Sequence, residues 1–164
     1  NSLPLIYSEI FLALNIQKEN GVFICKFFDI FLKTTIQLLY ILSISYRKIY
    51  VHKPSISRVS NSEKYIVCVG YKGYDKEIIN KLIHNFNTPR TLDIQIDSNF
   101  RKELLEFNKY YTQNQIYQIS KGLNLIKKKN RVNYPSVLQI RMAVEWCKKY
   151  GIPVNRDCYY LKSK

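Results

Sequence analysis

The sequence predicts an α/β layered domain continued by a helical tail, and three observations lead there. Segments of helical and strand periodicity alternate through the first 73 residues, the β-rich run after Gly21 is apolar on both faces, and beyond Gly73 only helical periodicity remains. With 164 residues, 46% of them apolar, the chain has room for one domain and little more. Five glycines and five prolines are too few for a collagenous or linker-like chain, and the apolar content argues against disorder.

From Pro4 to Ile16 the residues Leu5, Ile6, Ile10, Leu12, Ala13 and Ile16 recur near helical spacing, and Asn20-Gly21 supplies a stop. Gly21 opens Val-Phe-Ile-Cys-Lys-Phe-Phe, apolar on both faces apart from Lys26, the pattern of a central parallel strand covered by helices. Thr34 to Tyr46 returns to helical periodicity. The longest apolar stretch, Ile36 to Ile44, lies within it, is broken by Gln37 and Ser43, and is too short to span a membrane. Lys48 to Lys53 reads as a short strand ended by Pro54. A hydroxyl-rich loop, Ser55 to Ser62, leads to the β-rich run Glu63 to Tyr71, close enough to the preceding strand to pair with it antiparallel at one edge. Three strands are few for such a sheet, so an incomplete one is expected. Helices follow at about Asp75–Phe86, Ser98–Tyr111, Asn114–Lys129 and Pro135–Tyr150, with turn-prone stretches such as Asn85–Pro89 between them.

The net charge of +14 points to a polyanionic partner. Ile, Lys, Asn and Tyr supply 68 of the 164 residues, however, a bias that A/T-rich coding sequence produces without selection for charge. The excess lies mainly in residues 71–164, with 18 basic and 8 acidic side chains against 8 and 4 in residues 1–70. Its densest cluster, Lys127–Arg131, has Tyr110, Tyr111, Tyr117 and Tyr134 on either side, which suits RNA backbone contact plus base stacking and equally a solvated helix end. Cysteines at 25, 68, 147 and 158 form no C-x-x-C pair and have only His52 and His84 to join them, so no metal is expected and reduced intracellular thiols are. Cys25 and Cys68 read as small core residues, and Trp146 as a packing anchor. No charged segment and cleavage site of a signal peptide precede an apolar stretch, and the chain is expected to begin inside a longer reading frame.

Three pieces in order ask for more than a structural account: Gly21-Val-Phe-Ile-Cys-Lys26-Phe-Phe-Asp29, Lys53-Pro54-Ser-Ile-Ser57-Arg58, and Asn61-Ser62-Glu63-Lys64-Tyr65-Ile-Val-Cys68. Each residue alone has a bland explanation: Lys26 a strand-end lysine reaching solvent, Arg58 and Glu63 a surface pair, Lys53-Pro54 a strand terminator. Together, over about residues 4–73, the three pieces resemble the FtsJ-like (RrmJ-like) ribose 2′-O-methyltransferases, most closely the cap-specific mRNA group of eukaryotes and large DNA viruses. In that family a strand ends near a catalytic lysine, a K-P-x-x-S-R loop follows, and N-S-E-x-Y brings a catalytic glutamate.

The resemblance implies residues 1–73 as the C-terminal part of a Rossmann-like methyltransferase sheet, the last two strands antiparallel, and 74–164 as a basic helical extension. It implies Lys26 and Glu63 as catalytic, and Ser57, Arg58, Asn61 and Ser62 as RNA-binding. S-adenosylmethionine is the implied cofactor and the capped 5′ end of mRNA the implied partner, with a capping-enzyme subunit as a further one and no membrane. Such chemistry needs a 2′-hydroxyl to lose its proton while attacking a methyl group, which explains a lysine beside a carboxylate. The family's tetrad of Lys, Asp, Lys and Glu is represented only by its second lysine and its glutamate. The glycines at 21, 70, 73, 122 and 151 form no G-x-G, so the cofactor site is expected upstream of Asn1 and this chain alone is expected to be inactive. That departure keeps a second reading open, a non-catalytic RNA-binding or accessory subunit. The composition and the resemblance suit a large DNA virus, with the protein in cytoplasm, viral factory, virion or nucleus.

Overall fold

The computed structural model describes residues 2–55, 57–87, 91–128 and 135–162. The elements run α1 (Leu3–Ile16), β1 (Val22–Phe27), α2 (Lys33–Ser45), β2 (Tyr46–His52), β3 (Lys64–Tyr71), α3 (Lys76–His84), α4 (Ser98–Lys127), α5 (Val137–Lys149) and α6 (Tyr159–Lys162). Two compact units result, residues 1–118 and 119–164. The turn-prone Asn85–Pro89 stretch and the Lys127–Arg131 cluster, with Tyr134, lie partly outside the described residues.

The first unit is a mixed α/β layer built on a three-stranded sheet of order β1-β3-β2, with both outer strands antiparallel to β3. The expected antiparallel pairing of β2 with β3 is present. β1 differs from the central parallel strand that its two-sided apolarity predicts: among the described residues it lies at the sheet edge, and its partner is antiparallel. Its burial alternates, with Cys25 and Phe27 buried while Val22 and Ile24 stay more than half exposed. Among the described residues of this unit, α1, α2 and α3 pack against one face of the sheet. There Cys25, Phe27, Ile66 and Cys68 join Ile6, Ile10 and Leu14 of α1, Leu38 and Leu42 of α2, and Ile79 and Leu82 of α3 in one core. The opposite face carries Val22 beside Val69, Ile24 and Tyr50 beside Val67, and Lys26 and His52 beside Tyr65.

Tyrosine hydroxyls tie the layers by hydrogen bonds that reach across the apolar packing. The Tyr7 hydroxyl donates to the Leu82 carbonyl at 2.8 Å, that of Tyr71 to the Leu14 carbonyl, and that of Tyr46 to Gln17 at 2.8 Å. Tyr46, expected to close the second helix, instead begins β2, so α2 passes into the strand without a loop. At the turn into β1, Asn20 takes a positive φ of 63°, and its N–H donates to the Tyr71 carbonyl at the far end of β3.

Beyond Gly73 the first unit continues. Asp75 caps α3 by accepting from the N–H groups of Glu77 and Ile78, and Asp97 caps α4 through Asn99 and Phe100. The two helices expected at 98–111 and 114–129 are one, because Thr112-Gln113-Asn114 is only a weak helix former and contains neither glycine nor proline to stop propagation. In the second unit Ser136 and Gln139 form a reciprocal cap on α5, and Trp146 is half-buried against Tyr150, ring centroids 5.0 Å apart. Cys147 and Cys158 line one cavity of about 290 Å³ there with Ile140, Val144, Pro153 and Leu161. No helix among the described residues is long and apolar enough to cross a membrane.

Gln37, buried on α2, holds the segment between α3 and α4: its amide donates to the carbonyls of Leu92 at 2.5 Å and Ile94 at 3.3 Å, and its oxygen accepts from the Leu92 N–H at 2.9 Å. Gln37→Leu keeps the size but strands the Leu92 amide, and is expected to lower stability by about 1–3 kcal/mol in urea denaturation. An unchanged midpoint would mean that apolar packing alone holds the segment.

Candidate active site

Lys26 and Glu63 stand 37 positions apart, and the pairing of β1 with β3 closes that gap. The register sets Lys26 opposite Tyr65 and Phe27 opposite Lys64, so the residue preceding β3 lies beside the end of β1. Lys26 Nζ meets Glu63 Oε1 at 3.1 Å. The Tyr65 hydroxyl, on the same side of the strand two residues on, donates to the same oxygen at 2.8 Å. Asn61 Nδ2 donates to Oε2 at 3.2 Å, and the Ser57 hydroxyl approaches it at 3.5 Å.

Four donors around one carboxylate favour its anionic form. The Tyr65 hydrogen bond, followed by that of Lys26, holds Glu63 at a pKa of about 2, below its ordinary 4.5. The same bond pushes the Tyr65 phenol up, since losing its proton would set two anions side by side. Lys26 keeps 46% of its side chain exposed, its ammonium lying over the Phe28 ring 5.2 Å from the centroid. With Glu63 engaging it from one side, the ammonium retains N–H groups for a ligand on the other.

Lys53 and Tyr65 belong to this site, although the sequence reading gave neither a role. Lys53 Nζ donates to the Asn61 carbonyl at 3.0 Å, the Asn61 side-chain oxygen at 2.8 Å and the Glu63 carbonyl at 2.8 Å, with Ser57 Oγ at 3.4 Å. Those bonds fold the hydroxyl-rich loop back on the end of β2. Desolvation lowers the Lys53 pKa, and the nearby Glu63 charge opposes that. Tyr65 was findable from its i+2 relation to Glu63 at a strand start, and Lys53 from its place at the head of the Lys53-Pro54-Ser-Ile-Ser57-Arg58 piece. Of the residues expected to bind RNA, Ser57 and Asn61 face the Glu63 carboxylate. The Arg58 and Ser62 side chains enter none of these bonds among the described residues; Arg58 is exposed, and Ser62 offers its carbonyl to Lys64 Nζ at 2.8 Å.

A cleft of about 720 Å³ opens beside Lys26 between α1 and β1, lined by Glu9, Leu12, Ile16, Phe23, Ile24 and Tyr65 among others. Its chemistry does not fit a cradle for S-adenosylmethionine, whose amino-acid head and adenine need several polar partners. The walls are mostly apolar, and the Glu9 carboxylate is engaged by the Cys25 thiol at 3.0 Å. The glycines with positive φ, at 70, 73 and 151, lie at the end of β3 or after it and after α5, not beside Lys26.

Residues 1–71 match the family described as FtsJ-like methyltransferase. Similarity to individual proteins runs further along the chain. The cap-specific mRNA (nucleoside-2′-O-)-methyltransferase 1A of Caenorhabditis briggsae is 34% identical over 143 residues, covering 77% of this chain and 16% of that protein. The inactive cap-specific mRNA (nucleoside-2′-O-)-methyltransferase 1B of the same organism is 32% identical over 143 residues, covering 77% and 17%. The cap-specific mRNA (nucleoside-2′-O-)-methyltransferase 1 of Drosophila melanogaster is 29% identical over 160 residues, covering 96% and 20%. The chain thus spans about a sixth to a fifth of the length of these relatives.

Because the folded pKa of Glu63 lies below its ordinary value, its contribution to stability is complete above 4.5 and is lost as the pH falls through about 2. The thermal midpoint of the wild type is therefore expected to drop across that window, and that of Glu63→Gln to drop less. Parallel curves would show that the carboxylate is not held down.

Proposed function

Residues 1–71 belong to the FtsJ-like methyltransferase family, and from that premise we propose that the protein containing this chain methylates a ribose 2′-hydroxyl of RNA, next to the mRNA cap. The observation that carries the reading is the 3.1 Å contact of a half-exposed Lys26 with Glu63 at the mouth of a cleft. Glu63 fixes the ammonium, whose remaining N–H groups orient the ribose oxygen and stabilise the negative charge that grows as its proton leaves. Arg58, cationic and exposed, is the first candidate for RNA phosphate. Ser57 and Asn61 serve mainly to shape the carboxylate, and Ser62 remains for the ribose or phosphate. S-adenosylmethionine is the methyl donor this reading requires, held by residues other than those lining the cleft beside Lys26. A capping-enzyme subunit is the protein partner that fits.

A second reading has its own support. Among the described residues the cleft beside Lys26 does not fit the methyl donor, and one relative at 32% identity is named as inactive, so an accessory subunit that binds RNA on the same fold is the alternative.

The test is methyl transfer from labelled S-adenosylmethionine by the full protein to capped and uncapped transcripts of one sequence, with the label then mapped by nuclease digestion. Label is expected on the first transcribed ribose of capped RNA only, and Lys26→Ala is expected to lower kcat by roughly 10²–10⁴-fold. Equal labelling of both RNAs would defeat the cap assignment. RNA binding without transfer would favour the accessory subunit.

A further inference from the structure

Lys64 is the residue that the N-S-E-x-Y pattern leaves free, and at this position a side chain of any kind would satisfy the motif. Here it is a lysine with only 6% of its surface exposed, at the first position of β3. Burial of an ammonium is unfavourable unless its protons are taken up. Lys64 Nζ donates to the Ser62 carbonyl at 2.8 Å and the Phe28 carbonyl at 3.3 Å. Its third side lies over the Tyr111 ring of α4, 5.7 Å from the centroid. Ser62 immediately precedes Glu63, and Phe28 follows Lys26 by two residues.

We propose that Lys64 is a positioning residue: one buried ammonium ties the loop leaving Lys26 to the loop entering Glu63, with α4 closing the tie from above. The inference rests on the reading of Lys26 and Glu63 as the reacting pair, and it extends that site to the helical extension. Two neighbours on α4 repeat the arrangement. Asn108 Nδ2 donates to the Ile30 carbonyl at 2.8 Å on the first loop, and Gln115 Nε2 to the Ser60 carbonyl at 3.2 Å on the second. Residues 108, 111 and 115 lie on one helical face at spacings of three and four, so a single face of α4 grips both loops. The charged groups around Lys64 are Asp29, which favours its charge, and Lys53, which opposes it; desolvation is the larger influence and lowers its pKa.

The experiment compares Lys64→Met and Lys64→Arg in the full protein. Methionine keeps the buried stem and removes the donors, leaving the Ser62 and Phe28 carbonyls without this partner. The carboxyl of Glu63, followed by NMR of ¹³C-labelled glutamate and assigned with Glu63→Gln, reports on the pair without requiring any reaction. In Lys64→Met its midpoint is expected to rise from about 2 towards 4.5. In the same variant kcat is expected to fall roughly ten- to a hundredfold with KM for RNA unchanged, and Lys64→Arg, which retains cation and donors, should restore both. If Lys64→Met does not fold, Tyr111→Leu removes the tie from the α4 side and is expected to move the midpoint in the same direction by less. A Glu63 midpoint that stays in place while stability and activity decline together would overturn the proposal and leave Lys64 a structural residue. A midpoint that moves while no variant transfers methyl groups would uphold the tie and count against the methyltransferase reading alone.

Discussion

β3 is hydrogen-bonded on both of its edges, and its pairing with β1 decides where every side chain of the candidate site ends up. Antiparallel register sets the start of one strand against the end of the other. Lys26, near the end of β1, therefore shares a face with Tyr65 at the start of β3, and Glu63 arrives one residue outside the ladder, where its carboxylate can turn towards the lysine. A slip of one residue would send Lys26 to the helical side of the sheet and bring Cys25 to the open side. The apolar core of Cys25, Phe27, Ile66 and Cys68 prevents it, so the packing under the sheet fixes the chemistry above it.

Three lysines, at 26, 53 and 64, gather at this end of the sheet, and they are not equivalent. Lys53 and Lys64 are drawn in towards backbone carbonyls, and desolvation lowers the pKa of both. Among the described residues their ammonium groups are met chiefly by carbonyl dipoles, with Asn61 and Ser57 assisting Lys53. The Glu63 carboxylate is thereby left to Lys26 and Tyr65 on one oxygen and to Asn61 and Ser57 on the other, with Lys26 still open to solvent. This division lets a strongly cationic loop region hold a specific ion pair instead of a diffuse set of contacts.

Much of this was legible in the chain before any coordinates. The alternation of elements up to Gly73 follows from periodicity, which is written in local residue choice, and the interest of Lys26 and Glu63 follows from the resemblance that three spaced motifs carry. What the sequence could not disclose depends on long-range partners. The two-sided apolarity of Val-Phe-Ile-Cys-Lys-Phe points to a central parallel strand, but the antiparallel pairing of β1 with β3 is set by long-range contacts that the run itself does not encode. The continuity of α4 differs from the two helices expected at 98–111 and 114–129, and the tertiary contacts of Asn108, Tyr111 and Gln115 lie on either side of the expected break. Lys53 and Lys64 stand inside the motif pieces, but a lysine's usual place is in water, and only the packing of loop and helix around them gives them an interior role.

The grip of α4 on two loops also governs how this part of the chain can vary. Along a helix, losing or gaining one residue turns everything beyond it by about 100°. A deletion or insertion between Asn108 and Gln115 would therefore rotate one of the three contacts away while the others stayed, however conservative the residues involved. Side chains on the outer surface of this stretch are free to drift, but its length is not: in evolution the segment should accept replacements readily and resist changes of spacing, behaving in that respect like part of the two loops to which it is joined.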